Sequence, residues 1–411
     1  RKVSYILFIS MGLLFHSGCG GEKTDVIDLT FVIRPLNIAP SVQNGYGPGM
    51  NQLAQPDDVE FLSDGSMIVT DVNNNRIQHF SSEGLLLNSL SAQDLGLVNS
   101  EISPTGVSKD AAGFIYITLE DAGMVARFNP DLTLDQFIGK KCDITVDNYY
   151  KPGNDSCLFA PQGLIVGKNG DIYVIDMSKK VFTKNGVRNF GFRKYKQVNN
   201  NGTVSYIYDK HFALTQEVTK VMRKSEGMAI SPDQKTLFIA EEKPQKSQFG
   251  NINKKRYIAT FDLKNGRFLN RLIGVTMEND SIVGGYFNDS VEGICVVGDN
   301  IFAVDEKAGR FYIFEIQSGQ CKGFLGKRAS YYCDDNSDCV MDGINYNEQT
   351  IMDGVAKPHL KNKWQENEFA SPDGISAIVL PDGSGRIAVV DQWNSRVLVY
   401  DLDKILHEIN L

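Results

Sequence analysis

Four short segments place an acid directly after the residue that opens an apolar run: Asp57 in "PDDVEF", Glu226 in "SEGMAI", Glu292 in "VEGICVV" and Asp373 in "PDGISAI". Two further segments, "PTGVSK" and "PQGLIV", carry Thr105 and Gln162 at the same position. Carboxylates gathered at one point repel, so each resists ionisation, and a hard divalent cation that prefers oxygen ligands relieves the repulsion. The chemistry open to such a group is a raised pKa or Ca²⁺ binding, provided the elements carrying the acids converge. Five histidines, at 16, 79, 211, 359 and 407, are too few and too scattered to suggest a zinc centre or a Ser-His-Asp arrangement.

The elements are periodic. Residues 55–84, "QPDDVEFLSDGSMIVTDVNNNRIQHFSSEG", contain an apolar run, an Asp-Gly turn, a second run ending in an acid, a polar turn and a third run with period-2 alternation. The same order recurs at 103–128, 160–176, 225–242, 290–314 and 371–400, at lengthening intervals. Short runs bounded by turn residues are antiparallel strands, and repetition at this scale marks blades. One blade cannot bury both faces. Stacked radially, blades bury each other and leave no long sheet edge, which predicts an all-β, six-bladed β-propeller. The segment "VIDLTFVIRP", residues 26–35, is expected to be a strand that completes the sixth blade and closes the ring.

The Pro-x-Gly-Val-like starts, the "DGSMIVTD" hairpin and "NNNRIQHF" with its counterpart "WNSRVLVY" resemble the NHL family of six-bladed propellers over residues 52–402. Arg76, Arg310 and Arg396 each lie four residues before an aromatic, Phe80, Phe314 and Tyr400. The resemblance implies that the inner strand of each blade starts near one mouth of a central channel. Asp57, Glu226, Glu292 and Asp373 would then be candidate metal ligands at that mouth. Such a site is similar to that of the gluconolactonase and paraoxonase families, where a channel-mouth Ca²⁺ acts as a Lewis acid. "SEGMAISPDQKTLFIAEE" also resembles phytase-like propellers, whose Glu residues bind Ca²⁺. The structural alternative is that these acids cap turns or bond to a neighbouring blade. A second series, Asp71, Asp176, Glu241, Asp305 and Asp391, recurs at one offset in five copies. A group needed in every blade is expected to be structural.

Residues 1–19 combine two cations, an apolar stretch from Val3 to Phe15 and small residues before Cys19. As a helix that stretch would span only about 20 Å, short of a bilayer core. It reads as a signal peptide. Ser17-Gly18-Cys19 resembles a bacterial lipobox, which implies lipidation at Cys19, a tether over 20–25 and a propeller from 26 to 411. The expectation is an exported lipoprotein of the cell envelope, facing periplasm or surface and touching the membrane only through its anchor; simple secretion is the alternative. In an oxidising compartment the economical disulfides are Cys142 with Cys157 and Cys333 with Cys339, among fifteen pairings that six cysteines allow. Cys295 and Cys321 remain, and Cys295 suits a buried free thiol equally well.

A net charge of −8 argues against nucleic acid as a partner. Residues 179–196, "KKVFTKNGVRNFGFRKYK", interleave seven cations with aromatics, composing either a surface for an anionic partner or an outer hairpin with solvated cations. "CDDNSDCVMDG", residues 333–343, has acid spacing like the start of an EF-hand loop but lacks its Gly and final Glu; a disulfide-closed acidic loop fits better. The stretch from Lys322 to Phe369 shows no blade pattern, and its Tyr331, Tyr332 and Trp364 are candidate binding anchors. No residue presents itself as nucleophile or general base. The first expectation is therefore a recognition scaffold for a protein, glycan or small molecule, and the alternative is a Ca²⁺-dependent hydrolase.

Overall fold

Each copy of the repeat folds as a four-stranded antiparallel sheet whose second strand is apolar on both faces, because a neighbouring blade covers each side. The computed structural model describes residues 26–41, 47–97, 102–142, 154–176, 191–212, 225–241, 256–278, 281–287, 290–328 and 367–410, and the backbone at 183–184, 187–188, 332–333, 338–341 and 344–347. Blade 1 is Pro56–Phe61, Met67–Asp71, Arg76–Phe80 and Leu86–Ser91. Blades 2 to 5 follow, with inner strands Pro104–Lys109, Pro161–Val166, Met228–Ile230 and Val291–Val297. Blade 6 contributes Pro372–Val379, Gly385–Asp391 and Arg396–Asp401, and Pro35–Ala39 pairs antiparallel with the last of these as its outer strand. Each inner strand contacts the next, from blade 1 round to blade 6 and back to blade 1. The molecule is a six-bladed β-propeller closed by an N-terminal strand.

The core is six separate clusters, one in each interface between blades. Phe61, Val69, Phe80, Ala388 and Val399 fill the join between blades 1 and 6, while Phe302, Phe311, Leu398 and Tyr400 fill that between blades 5 and 6. At the axis the inner strands crowd, which explains the Gly that follows the mouth residue in five blades. A Cβ on Gly163 would lie 1.9 Å from Glu226 O, and one on Gly227 2.0 Å from Glu292 O. No side chain fits there. Blade 1 alone departs, with Asp58 in that place.

The register puts Pro56, Asp71, Arg76 and Ser91 in one row, so the start of the first strand, both ends of the second turn and the end of the fourth strand share a face. The long connections between described strands, such as those from Asp176 to Gly191 and from Arg328 to Glu368, leave and return on that face. The opposite face has tight turns, for example those closed by Gly65 N donating to Leu62 O and Gly383 N donating to Leu380 O.

Three readings need correction. Residues 26–35 are not one strand: Thr30 N donates to Asp28 Oδ1 and Ile33 N to Leu29 O, which turns the chain at 29–33. Ile27–Asp28 instead lies parallel to Cys321–Leu325 on blade 5, and the ring-closing strand begins at Pro35, whose missing N–H suits the start of an edge strand. The stretch from Lys322 to Phe369 is not patternless throughout. It opens with the outer strand Cys321–Leu325, then Lys327–Arg328 pairs in parallel with Glu368–Phe369, an arrangement held by Lys327 Nζ at 3.0 Å from Glu368 Oε1. In the basic segment, Gly191–Asn200 is the third strand of blade 3, and two of its cations are buried rather than solvated: Arg193 is 0% and Lys194 6% exposed. Lys194 lies 3.1 Å from Asp171 and 3.8 Å from Asp209.

Candidate functional site

The mouth is built by the bulge that opens each inner strand. In five blades the register shifts between the first residue and the fourth, as between Pro56 and Val59 or Val291 and Ile294. In those blades the second residue is thereby released from the ladder and presented at the mouth; in blade 4 Glu226 lies two residues ahead of the inner strand Met228–Ile230. Glu226, Glu292 and Asp373, from consecutive blades 4, 5 and 6, offer carboxylate oxygens that all lie within 4.8 Å of one another. Two oxygens on opposite sides of a Ca²⁺, each at about 2.3–2.6 Å, stand roughly 4.6–5.2 Å apart, so oxygens within 4.8 Å of one another are close enough to share one such ion. The donor set is oxygen only, which favours a hard cation over zinc.

Two of the three carboxylates are held from behind. Ser290 Oγ donates to Glu292 Oε1 at 2.5 Å, and Gln392 Nε2 donates to Asp373 Oδ2 at 2.9 Å. Burial raises the pKa of Asp373 well above the usual carboxylate range, and Asp57, Glu292, Glu226 and Glu306 push it the same way. Glu306 accepts from Ser371 Oγ at 2.6 Å. The structure thus brings three of the four sequence-predicted ligands into one cluster, and the fourth, Asp57, acts on it through its charge.

The second acid series has a different task. Asp71, Asp176, Asp305 and Asp391 are fully buried. Asp71 accepts from Ala54 N at 2.7 Å and from Arg76 Nε at 2.8 Å, and Asp391 repeats this with Ala370 N at 2.7 Å and Arg396 Nε at 2.9 Å. Asp71 and Asp391 therefore each tie the approach to an inner strand to the third strand of its own blade, and so set where the mouth residue stands; Asp176 binds the approach through Phe159 N and Ala160 N, and Asp305 accepts from Ala308 N at 3.0 Å in the turn. This is the structural role its repetition predicts.

Below the mouth a cavity of about 450 Å³ runs along the axis, lined by all six inner strands. Asp58, at the place of the missing glycine, accepts from Val107 N at 2.9 Å and Val59 N at 2.8 Å; burial lifts its pKa to about 7. Deeper, Lys109 Nζ stands 2.6 Å from Glu60 Oε1, which also accepts from Ser376 Oγ at 3.3 Å. Cys295 is a free thiol on this wall, its pKa pushed up by burial and then by Glu60 and Asp58. Cys321 is also free, and Cys142 is bonded to Cys157. Cys333 and Cys339 are register partners across a hairpin, but their side chains lie outside the described residues, as do Cys19, Tyr331, Trp364 and the side chain of Tyr332.

Sequence reasoning missed Glu306, Gln392 and Asp58. The first two directly follow Asp305 and Asp391, so the offset after the structural acid was a usable signal. Asp58 was visible as the one non-glycine at a position where the other five inner strands have Gly.

No protein-family model matches the chain, and no curated protein matches it. Among solved structures it is similar to a gluconolactonase from Xanthomonas campestris, at 12% identity and TM-score 0.47, over 85% of this chain and 87% of that one. It is similar to regucalcin, a calcium-binding protein from Agrobacterium tumefaciens strain C58, at 9% identity and TM-score 0.45, over 87% and 92%. A virginiamycin B lyase from Staphylococcus aureus aligns at 12% identity and TM-score 0.42, over 86% and 97%. The propeller assignment itself rests on the sheet order and the closed ring of inner strands.

Proposed function

We propose that this propeller binds a hard divalent cation, Ca²⁺ by donor type and spacing, on Glu226, Glu292 and Asp373, and hydrolyses a small carbonyl- or phosphoryl-bearing ligand at the channel mouth. The observation that carries the reading is the approach of three carboxylates from three consecutive blades to within 4.8 Å, at the head of a cavity of about 450 Å³, a size that suits a small molecule. A bound Ca²⁺ supplies Lewis-acid polarisation of a ligand oxygen. The chain's own residues prepare the cation site: Ser290 and Gln392 orient two ligands in advance, and Asp57 and Glu306 add negative potential that draws a cation in.

Thermal unfolding with Ca²⁺ titration tests this. A cation bound only by the folded state stabilises it by about 2.7 kcal/mol at a hundred times its Kd, so the midpoint should climb with Ca²⁺ and stop climbing in a Glu226→Gln, Glu292→Gln double variant. A midpoint indifferent to millimolar Ca²⁺ overturns the proposal.

The proposal also places the protein outside the cytoplasm, anchored through Cys19. The Cys142–Cys157 disulfide supports an oxidising compartment. Cys19→Ala should move the protein from the membrane to the soluble fraction, and membrane retention of that variant removes the anchor from the account. A recognition-scaffold reading is favoured by one observation, that the long connections begin and end at strand ends on the mouth face. A partner that binds equally well in the carboxylate double variant would support it.

A further inference from the structure

We infer that the ligand of this cavity is an amphiphile with a neutral polar head at the mouth and an unbranched apolar tail running down the channel along blades 3 and 4. The head part rests on the cation reading above; the tail part does not.

The channel walls differ by side. On blades 3 and 4 the cavity is lined by Ile165, Val166, Met228, Ala229 and Ile230, with the polar Lys168 and Gln234 following at the end away from the mouth. Ile165 and Ile230 are only partly buried, packing on the cluster between these blades with one side and facing the cavity with the other. On blades 6, 1 and 2 the wall is mixed, with Ser376, Asp58, Glu60 and Lys109 set among Ile375, Ala377, Val59 and Val107. The polar groups are satisfied within the wall, Lys109 with Glu60, Ser376 with Glu60, and Asp58 with Val107 N and Val59 N. The polar side therefore asks nothing of a ligand, whereas the apolar side gains by being covered.

At the junction of mouth and apolar wall stands Gln162 on blade 3. Its Oε1 is buried and has no hydrogen-bond partner among the described residues. An acceptor buried without a partner costs roughly 1–3 kcal/mol, and a hydroxyl or amide donor on the head group relieves it. The head is neutral because the mouth gathers the carboxylates of Glu226, Glu292 and Asp373 within 4.8 Å, and such a concentration of negative charge repels an anion.

The test is calorimetric titration of the full chain with γ-lactones of increasing alkyl length, beside an alkyl phosphate of matched length, with Ca²⁺ binding measured in parallel. Affinity should rise about fourfold per methylene, the fold-change equivalent of ~0.8 kcal/mol per buried CH₂, and level off when the tail reaches the end of the apolar wall. Ile165→Ser should flatten that series and leave Ca²⁺ affinity unchanged, while Gln162→Leu should weaken every member by a common factor. A flat wild-type series in protein that binds Ca²⁺ overturns the tail and leaves the cation reading standing. A graded series without Ca²⁺ binding keeps the tail and removes the cation reading. Slope unchanged in Ile165→Ser puts the tail elsewhere, and tighter binding of the phosphate overturns the neutral head.

Discussion

Replacing Asp373 by Asn should make the cation-free protein more stable at neutral pH while abolishing its response to Ca²⁺. Asp373 faces Glu226 and Glu292 at no more than 4.8 Å between ligand oxygens. Two unit charges at that distance repel by about 3.5 kcal/mol at an effective dielectric of about 20. The full penalty is never reached, because the carboxyl can take up a proton instead. At pH 7 that uptake costs about 4 kcal/mol for a group with an unfolded pKa near 3.9, at roughly 1.36 kcal/mol per pH unit, and this caps the strain. Since Asp373 is a weaker acid folded than unfolded, the native state holds its proton longer. Stability should therefore fall as pH rises above about 4, and continue to fall until the folded carboxyl has ionised. The Asn variant lacks that slope. Urea unfolding in EGTA between about pH 4 and 8 should show the variant equal to wild type at the acid end and about 1–4 kcal/mol more stable at pH 7, with Ca²⁺ stabilising wild type only. A variant no more stable than wild type at pH 7, or a gap that does not change with pH, would refute the reasoning.

Other consequences can be checked with single variants. Gly163→Ala inserts a Cβ 1.9 Å from Glu226 O; chemical denaturation should show a loss of about 3 kcal/mol or more, and whatever folds should bind Ca²⁺ weakly because Glu226 has moved. Asp391→Ala leaves Arg396 and Ala370 N without their common acceptor and should cost about 3–5 kcal/mol, as broken buried pairs do, and should weaken Ca²⁺ binding by the folded fraction, because the acid fixes the approach to Asp373. Removing the Cys142–Cys157 bond, which spans 15 residues, should lower stability by about 3 kcal/mol; a midpoint unmoved by reductant would show that the bridge does not contribute.

The blades were legible because one physical problem, joining an inner strand to the third strand, draws on the same residue type in five of the six blades: a buried acid, which in blades 1, 3 and 6 binds an N–H of the approach loop and in the first and last blades also an arginine. The mouth acids were legible for the opposite reason, since they vary among blades at a position where geometry is constant. What failed was local. Residues 26–35 and 35–39 both contain apolar residues suited to a strand, and only the Asp28–Thr30 turn decides between them. The third strand of blade 3 was hidden because Arg193 and Lys194 are buried in it, against the rule that cations face water. Blade 5's outer strand is only five residues long and interrupted by Gly323, which leaves too short an alternation to read. Glu306 and Asp58 join the channel through backbone placement beside a strand end and at a crowded ring, information that pairing supplies and composition does not.

The most direct measurement is anomalous diffraction from crystals soaked in Ca²⁺ at long wavelength. The account predicts one strong peak at the channel mouth, within about 2.3–2.6 Å of an oxygen from each of Glu226, Glu292 and Asp373, absent after EGTA. A mouth without a peak, or an ion bound elsewhere on the ring, would contradict it.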